Sequence, residues 1–569
     1  MLLFVGGGLL LTLRYLILPD IERYHDTISA MVSHVVGQPV TIGKIEADWQ
    51  GIRPHLLFTD VLILDKQGQT MLALRQVDNV VSWMTAVTGQ LRLHSLEINQ
   101  PNLLVKRDAQ GILHIAGMTM SSNIPGQPAD HRLADWLLHQ THIVVRDARI
   151  TWQDEQRAAP PLILNQVNML IKNSGHRHSF SLLAEPPAEL SAQLDLRGDF
   201  LGASFDNFNA WRGELYTQLD YVDVAAWNKW LPLPIAPKRG RGALRGWLGV
   251  EKGKINQLTA DLALAGVQTQ LADDLPLLDM VRLRGRVEWH DVVQGFEIST
   301  RKLSLQMTNG LVLQPIDLYL HYADATDKQP AGGEVRVNTL DMNSSISLTQ
   351  FLPLAPSLKQ QLAKFAPQGR ISDMQAKWQG DFDRLLNYEI KARFDGLSIQ
   401  RAGNILGFTR LSGQVDGNDA NGTLSLNTRN STVDAPLIMP EPLAFDSLIA
   451  QLSWQKHDRG MEVNFNKVAI ANADLAGNIF GSYQSLPQSP GLIDLTVNLT
   501  RAAVRHTARY IPLVALNSEA HNWVRNALVD GQADNFNLRL KGNLNDFPFD
   551  GKRNGLFQIR ARATGVVVE

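Results

Sequence analysis

The sequence predicts a mainly β protein: an elongated, highly twisted antiparallel sheet with one apolar face, a few short helices, and an N-terminal transmembrane helix. Three observations lead there. Strict polar/apolar alternation, the period of a half-buried strand, recurs through most of the chain. Helical periodicity is confined to short stretches. The opening segment is apolar from Leu2 to Leu18 apart from Thr12 and Arg14, with Pro19 as a stop.

That opening segment is the first element. Seventeen helical residues at ~1.5 Å each reach about 26 Å, close to a hydrocarbon core of roughly 30 Å. Leu3, Phe4, Leu9, Leu10, Leu11, Leu16 and Ile17 would form the anchor within 1–18, with Arg14 reaching toward an interface. A short buried helix is the competing reading. A cleaved signal peptide needs a basic start and a small-residue cleavage site, and neither is present. No basic residue precedes Leu2, so the charge rule does not orient the anchor, and the true start is expected upstream.

Next comes one amphipathic helix. Asp20 is placed as its N-cap, Ile21, Tyr24, Ile28, Met31, Val32 and Val35 form its apolar side, and Gly37 ends it. The expected organisation is an anchor over 1–18, an α+β cap over 19–120, a linker at "SSNIPGQPAD" (121–130), and a repetitive β region over 131–569.

From Val40 the period changes to two. In "GKIEADWQG" (43–51), Lys44, Glu46 and Asp48 alternate with Ile45, Ala47 and Trp49, so the two acids read as the wet face of a strand rather than a catalytic pair. "LSAQLDLRG" sets Leu190, Ala192, Leu194 and Leu196 on one side, and "IDLTVNLT" does so with Ile493, Leu495, Val497 and Leu499. "TLSLNTR" (423–429), "NFNLRLKG" (535–542) and "FQIRARATG" (557–565) repeat the pattern. A loose Leu-x-Gly signature recurs at Leu244/Gly246, Leu283/Gly285, Leu411/Gly413 and Leu540/Gly542, at irregular spacing, so this is no fixed-period solenoid. Short helices are expected around 133–140, 224–230, 357–365 and 518–529.

The chemistry-bearing motifs are sparse. Lys plus Arg is 54 against 56 for Asp plus Glu, a net of -2 without long runs of one sign, which argues against nucleic acid as a partner. There is no cysteine, which excludes disulfides, thiolate metal sites and thiol nucleophiles. His176 and His178 in "HRH" would share one strand face, half of a metal site with no third ligand placed. "GRGALRG" (240–246) has the glycines of a phosphate loop without its Gly-Lys-Ser/Thr ending, and reads as a turn. No metalloprotease, nucleophile-elbow or calcium-loop pattern occurs. Distant strands could still assemble two carboxylates about 5 Å apart. The tryptophans, among them Trp49, Trp83, Trp289, Trp378 and Trp454, sit near strand ends and suit packing. No enzymatic centre, metal or cofactor is expected.

One-sided strands with few helices to cover them must cover one another, as in closed sandwiches, or be covered by something else. A sheet bent into an open gutter would hold acyl chains. Each methylene moved out of water is worth about 0.8 kcal/mol, so a sixteen-carbon tail crossing water faces about 13 kcal/mol, which a continuous apolar lining removes. By alternation, Leu194, Leu196, Leu424, Leu426, Leu495, Val497, Leu538 and Leu540 would line it.

Two stretches carry a family resemblance. "VVGQPVTIGKIEADWQGIRPHLLFTDVLILDKQG" (35–68) with "INQPNLLVKRDAQGILHIAG" (98–117), and "HNWVRNALVDGQADNFNLRLKGNLNDFPFDGKRNGLFQIRA" (521–561), resemble the AsmA-like membrane proteins, specifically their YhdP branch. The likeness runs through essentially the whole chain. It implies a hydrophobic β groove of the bridge-like lipid-transfer type, anchored in the inner membrane, with its bulk in the periplasm. Its cargo would be phospholipid moving between inner and outer membrane, in support of outer-membrane lipid homeostasis and the permeability barrier. Members of that branch are longer and the chain stops at "TGVVVE" in mid-strand, so a fragment is expected. The runner-up is a scaffold of closed sandwiches that assembles outer-membrane or other periplasmic envelope proteins by edge-strand pairing.

Overall fold

The computed structural model describes residues 8, 11–65, 67–119, 132–204, 209–231, 235–381, 384–403, 405–513, 518–549 and 554–569. The chain divides into two compact units, Met1–Gln270 with Leu278–Asp291, and Leu271–Leu277 with Val292–Glu569. It is mainly β.

In unit 1 the strands are β1 (Val40–Gln50), β2 (Arg53–Leu64), β3 (Thr70–Val81), β4 (Leu93–Asn99), β5 (Asn102–Arg107), β6 (Leu113–Ile115) and β7 (Met118–Thr119). After a helical crossover follow β8 (His142–Asp154), β9 (Ala159–Ser174), β10 (Arg177–Glu185), β11 (Leu194–Leu201), β12 (Arg212–Asp223), β13 (Arg239–Glu251), β14 (Lys254–Thr269) and β15 (Leu278–Val292). The ladder runs β1-β2-β3-β4-β8-β9-β10-β11-β12-β13-β14-β15. The expectation of a wholly antiparallel sheet is corrected at β8, which pairs in parallel with β4 along its first half and with β5 along its second. Parallel neighbours need a long connection. Here that connection includes α3 (Arg132–Leu138), which follows α1 (His25–Val36) and α2 (Met84–Thr88).

In unit 2 the strands are β16 (Gly295–Met307), β17 (Val312–Ala323), β18 (Gly332–Asp341), β19 (Gln368–Asp381), β20 (Arg384–Ile399), β21 (Gly407–Asn418) and β22 (Asn421–Asp434). They continue as β23 (Leu443–His457), β24 (Gly460–Ala471), β25 (Leu475–Leu486), β26 (Ser489–Ala503), β27 (Leu528–Asn543) and β28 (Leu556–Val568). Each pairs antiparallel with the next. At one end of these strands lie α4 (Met342–Thr349), α5 (Pro356–Phe365), a 3-10 turn over Val504–Tyr510, and α6 (Ser518–Ala527).

The first helix starts later than its sequence suggests. Pro19 opens a 3-10 segment over Leu18–Tyr24 with Asp20 outside helical geometry, so α1 begins at His25; Gly37 ends it in the left-handed conformation. Of the anchor residues, Leu3, Phe4, Leu9 and Leu10 lie outside the described residues, as does the 121–130 linker. Leu11, Leu16 and Ile17 belong to a short helical stretch in which Leu11 and Leu16 are exposed. Among the described residues no helix is long and apolar enough to cross a membrane.

Two local readings are corrected. "GRGALRG" is not a turn but the start of β13, and its glycines reflect closeness between strands: a Cβ on Gly242 would lie 2.1 Å from the Ala263 carbonyl oxygen. Leu190 and Ala192 precede β11, which begins at Leu194. The alternation also flips within strands. Asp60, Asp147, Gln166, Arg410 and Asn430 stand mid-strand with φ between 46° and 55°. At each the alternation changes phase, so buried positions step from Phe58 to Val61, from Val145 to Ala148, and from Thr428 to Ser431. The register shifts beside Asp147, Gln166, Arg410 and Asn430, as at a bulge, but at Asp60 it is kept and β1 and β3 change phase together with β2.

Candidate functional site

The register turns alternation into a surface. In unit 1 one row of directly opposed residues crosses the whole ladder: Ile45, Phe58, Val77, Ile98, Val145, Met169, Leu182, Leu196, Thr217, Gly246, Ala260 and Val287. The next row reads Ala47, Leu56, Asn79, Leu96, Ile143, Ile171, Phe180, Gly198, Leu215, Leu248, Leu258 and Trp289. Opposed residues share a face of the sheet. Thr217 and Asn79 are the polar members, and the Asn79 amide donates to the Leu56 and Val77 carbonyls.

Cover over this face is uneven. Ile45, Phe58, Val77 and Leu96 are buried, and Ile28, Val32 and Val36 of α1 with Trp136 and Leu137 of α3 pack against that cluster. From Leu182 to Val287 every member of the first row is half-buried.

Unit 2 repeats the arrangement. One row runs Ile298, Leu320, Val335, Ala376, Ile390, Gly417, Gly422, Trp454, Val463, Tyr483, Ile493, Gly542. Beside it lie Ala392, Val415, Leu424, Leu452, Phe465, Gly481, Leu495, Leu540 and Phe557, and then Phe394, Gly413, Leu426, Ala450, Val468, Ile479, Val497, Leu538 and Ile559. The six residues of this unit singled out by alternation fall in these two rows. Leu424, Leu495 and Leu540 share one, and Leu426, Val497 and Leu538 share the other. Leu426 is packed into a cluster with Phe445, Leu448, Ala450 and Val468, whereas the other five are half-buried. Leu194 and Leu196 of unit 1 are half-buried as well. Thr300 and Thr428, polar positions on this face, donate to the Ile316 and Arg410 carbonyls.

The glycines of the Leu-x-Gly signature all lie on the apolar face. Gly246, Gly413 and Gly542 stand in the rows above, and Gly285 opposes Leu262. A Cβ on Gly413 would sit 2.1 Å from the Ser425 carbonyl oxygen and 3.1 Å from Leu426 Cδ2, and one on Gly422 would meet Trp454 Cζ2 at 2.3 Å. The signature is large beside small, which lets neighbouring side chains lie over the sheet. Phe549 covers Gly542 and Gly555 in the same way.

The opposite face is wet. In unit 2 its row reads Lys391, Asp416, Thr423, Ser453, Asn464, Ser482, Asp494, Lys541. Lys391 pairs with Asp416 at 3.1 Å, and Asp494 is held by Arg539 and by Lys541 at 3.2 Å, so that hydrogen bonding to Arg539 lowers its carboxyl pKa. Glu46 and Asp48 are outward on β1; Glu46 pairs with Lys44 at 2.5 Å and Asp48 with His55.

The two histidines do not share a strand face. His176 stands exposed in the turn before β10, while His178 is buried, its ring nitrogens facing Asn173 Oδ1 at 2.8 Å and the Gly202 carbonyl at 3.1 Å, stacked on Trp211. The changes of phase were invisible to a search for alternation, and the clue to them is that Asp60, Asp147 and Asn430 belong to residue types that tolerate positive φ.

The chain is 21% identical over 580 residues to a protein described as the intermembrane phospholipid transporter YhdP of Escherichia coli (strain K12). The match covers 98% of this chain and 43% of that relative, so the chain spans less than half its length. No solved structure matches. The family model described as YhdP protein matches residues 1–569, and the chain therefore belongs to the YhdP family.

Proposed function

We propose that this chain carries phospholipid between the inner and outer membranes of a cell envelope, its acyl chains lying along the apolar sheet face of each unit. The observation that supports the reading is the half-buried, mostly apolar run from Leu182 to Val287 in unit 1 and the half-buried row of Leu424, Leu452, Phe465, Leu495 and Leu540 in unit 2, which offer an acyl chain apolar surroundings at successive strands. A lining of that kind offsets the roughly 0.8 kcal/mol per methylene that would otherwise keep a lipid in its bilayer. The relative's description as a phospholipid transporter points the same way. In this reading the first residues anchor the chain in the inner membrane, the cap of α1 and α3 closes the first strands, and the remainder stands in the periplasm. Envelope lipid homeostasis and the permeability barrier follow from the cargo. The face needs no acid, base or metal: the chain works as a carrier rather than an enzyme.

A photo-crosslinking residue placed in cells at Leu424, Leu495, Thr423 and Asp494, with mass spectrometry of the adducts, tests this. Phospholipid adducts are expected at 424 and 495 and absent at 423 and 494. Protein adducts alone, or equal yields on both faces, would sink the proposal and favour a scaffold with a closed core.

A further inference from the structure

The lipid reading uses one face of each sheet. On the wet face of unit 1 lies a hollow of about 260 Å³ with no role in it, lined by Glu214, Trp247, Gln257, Thr259, Arg286 and Glu288. The register builds it from two adjacent outward rows across β12 to β15. Glu214, Gly249 and Gln257 form one row, and Tyr216, Trp247, Thr259 and Glu288 form the other.

Three features make the hollow a built site. Thr259 is 9% exposed, yet among the described residues its hydroxyl has no hydrogen-bond partner, and it lines the cavity. That hydroxyl is not enclosed by protein and opens to the hollow, so it is free to bond a ligand there. The Glu214 carboxylate and the Gln257 amide likewise have no partner among the described residues. Gly249 supplies the floor: it does not adopt the left-handed backbone that requires glycine, and a Cβ there would lie 2.8 Å from Asn256 Oδ1 and 3.0 Å from Gln257 Cβ, closing the space. The aromatic wall is fixed in place. Arg286 lies 5.3 Å from the Trp247 ring centre, Tyr216 packs against the same indole at 5.3 Å, and Asp261 holds Arg286 through bonds of 2.6 and 2.8 Å.

The chemistry on offer is a mixture of acceptors, donors and one aromatic surface within a small open hollow. Two carboxylates disfavour an anion, and the polar lining disfavours an acyl chain. Sugar hydroxyls each donate and accept, and the apolar faces of a sugar ring pack on aromatic side chains, so the mixture matches a neutral carbohydrate. We propose that the wet face of unit 1 binds a neutral glycan, one pyranose ring seated among Glu214, Gln257 and Thr259 beside Trp247.

Saturation-transfer NMR on the full chain, with triacetylchitotriose and maltotriose as probes and ethanolamine as the cationic control, tests the assignment. At least one saccharide is expected to bind. Thr259→Val, which keeps the side-chain shape, and the exposed Glu214→Gln should each weaken that binding about three- to tenfold with an unchanged melting temperature. Leu196→Asp, on the apolar face, should leave saccharide binding intact, which separates this site from the lipid reading. Binding of ethanolamine alone, of neither saccharide, or of saccharide equally well by both site variants would overturn the proposal.

Discussion

Gly413 shows at the residue scale what the apolar face demands. Directly opposed strands cannot all present leucine on one face, because neighbouring side chains compete for the same volume. Glycine at 413 leaves that volume to Leu426, and the Ser425 carbonyl closes over it at a distance no side chain tolerates. Gly413→Ala is therefore expected to destabilise unit 2 by about 1–3 kcal/mol, the usual cost of overpacking, as a lower denaturant midpoint at unchanged slope. Gly396, whose added Cβ meets nothing, provides the comparison: alanine there is strained only by its left-handed φ of 61°. An unchanged midpoint for Gly413→Ala would show that the neighbouring strands yield to the added methyl and that crowding does not set the cost.

At the scale of elements, the wet face ties strands together by charge. His55 on β2 reaches Asp48 on β1 and Asp78 on β3, the latter at 2.9 Å. Burial alone pulls the imidazole pKa down, but the hydrogen bonds to Asp48 and Asp78 outweigh it and leave it above the ordinary 6.5. The folded chain thus holds this proton more tightly than the unfolded chain does. The stabilisation is complete below the unfolded pKa of about 6.5 and is lost as pH rises through the raised folded value. Thermal unfolding of the wild type should show a midpoint that falls from pH 6.5 upward, and Asp78→Asn should flatten that fall. Parallel curves for the two proteins would show that the triad does not couple to folding.

For the whole molecule, the same device appears in both units: a ladder of a dozen or so strands whose opposed residues make rows that are apolar at most positions. The lipid proposal makes a quantitative demand here, because a row is only as continuous as its most polar member. The chain purified from membranes should carry phospholipid detectable by mass spectrometry of an organic extract. Leu196→Asp in unit 1 and Leu495→Asp in unit 2 should each lower the recovered lipid several-fold, while Thr496→Asp, which points to the wet side, should not. Equal recovery from all three would remove the apolar rows as the carrier surface.

How much of this was legible in the sequence differs from feature to feature. The period of two at Leu424–Leu426 and Leu495–Val497 is local, set by backbone geometry, and the register sets those residues in adjacent rows on one face. The glycines of "GRGALRG" misled because a glycine required by the approach of the Ala263 carbonyl looks, in one dimension, like a glycine required by a turn. His178 looked available for a metal because its partners Asn173 and Gly202 are brought to it by neighbouring strands and a loop. The hollow beside Thr259 could not be read at all, since its walls come from four strands and its floor is the absence of a side chain at Gly249.

By itself, the sequence determined the class of the fold, the face on which each half-strand puts its leucines, the lack of cysteine chemistry, and the family, because these follow from local periodicity, composition and motif order. Only the tertiary structure decided the register that aligns those leucines into rows, the bulges that reverse the alternation, the parallel pairing of β8, and the places where helices cover the apolar face. Each of these depends on contacts between residues far apart in the chain. A one-residue change in register would move a whole strand's leucines to the other side without altering any local pattern.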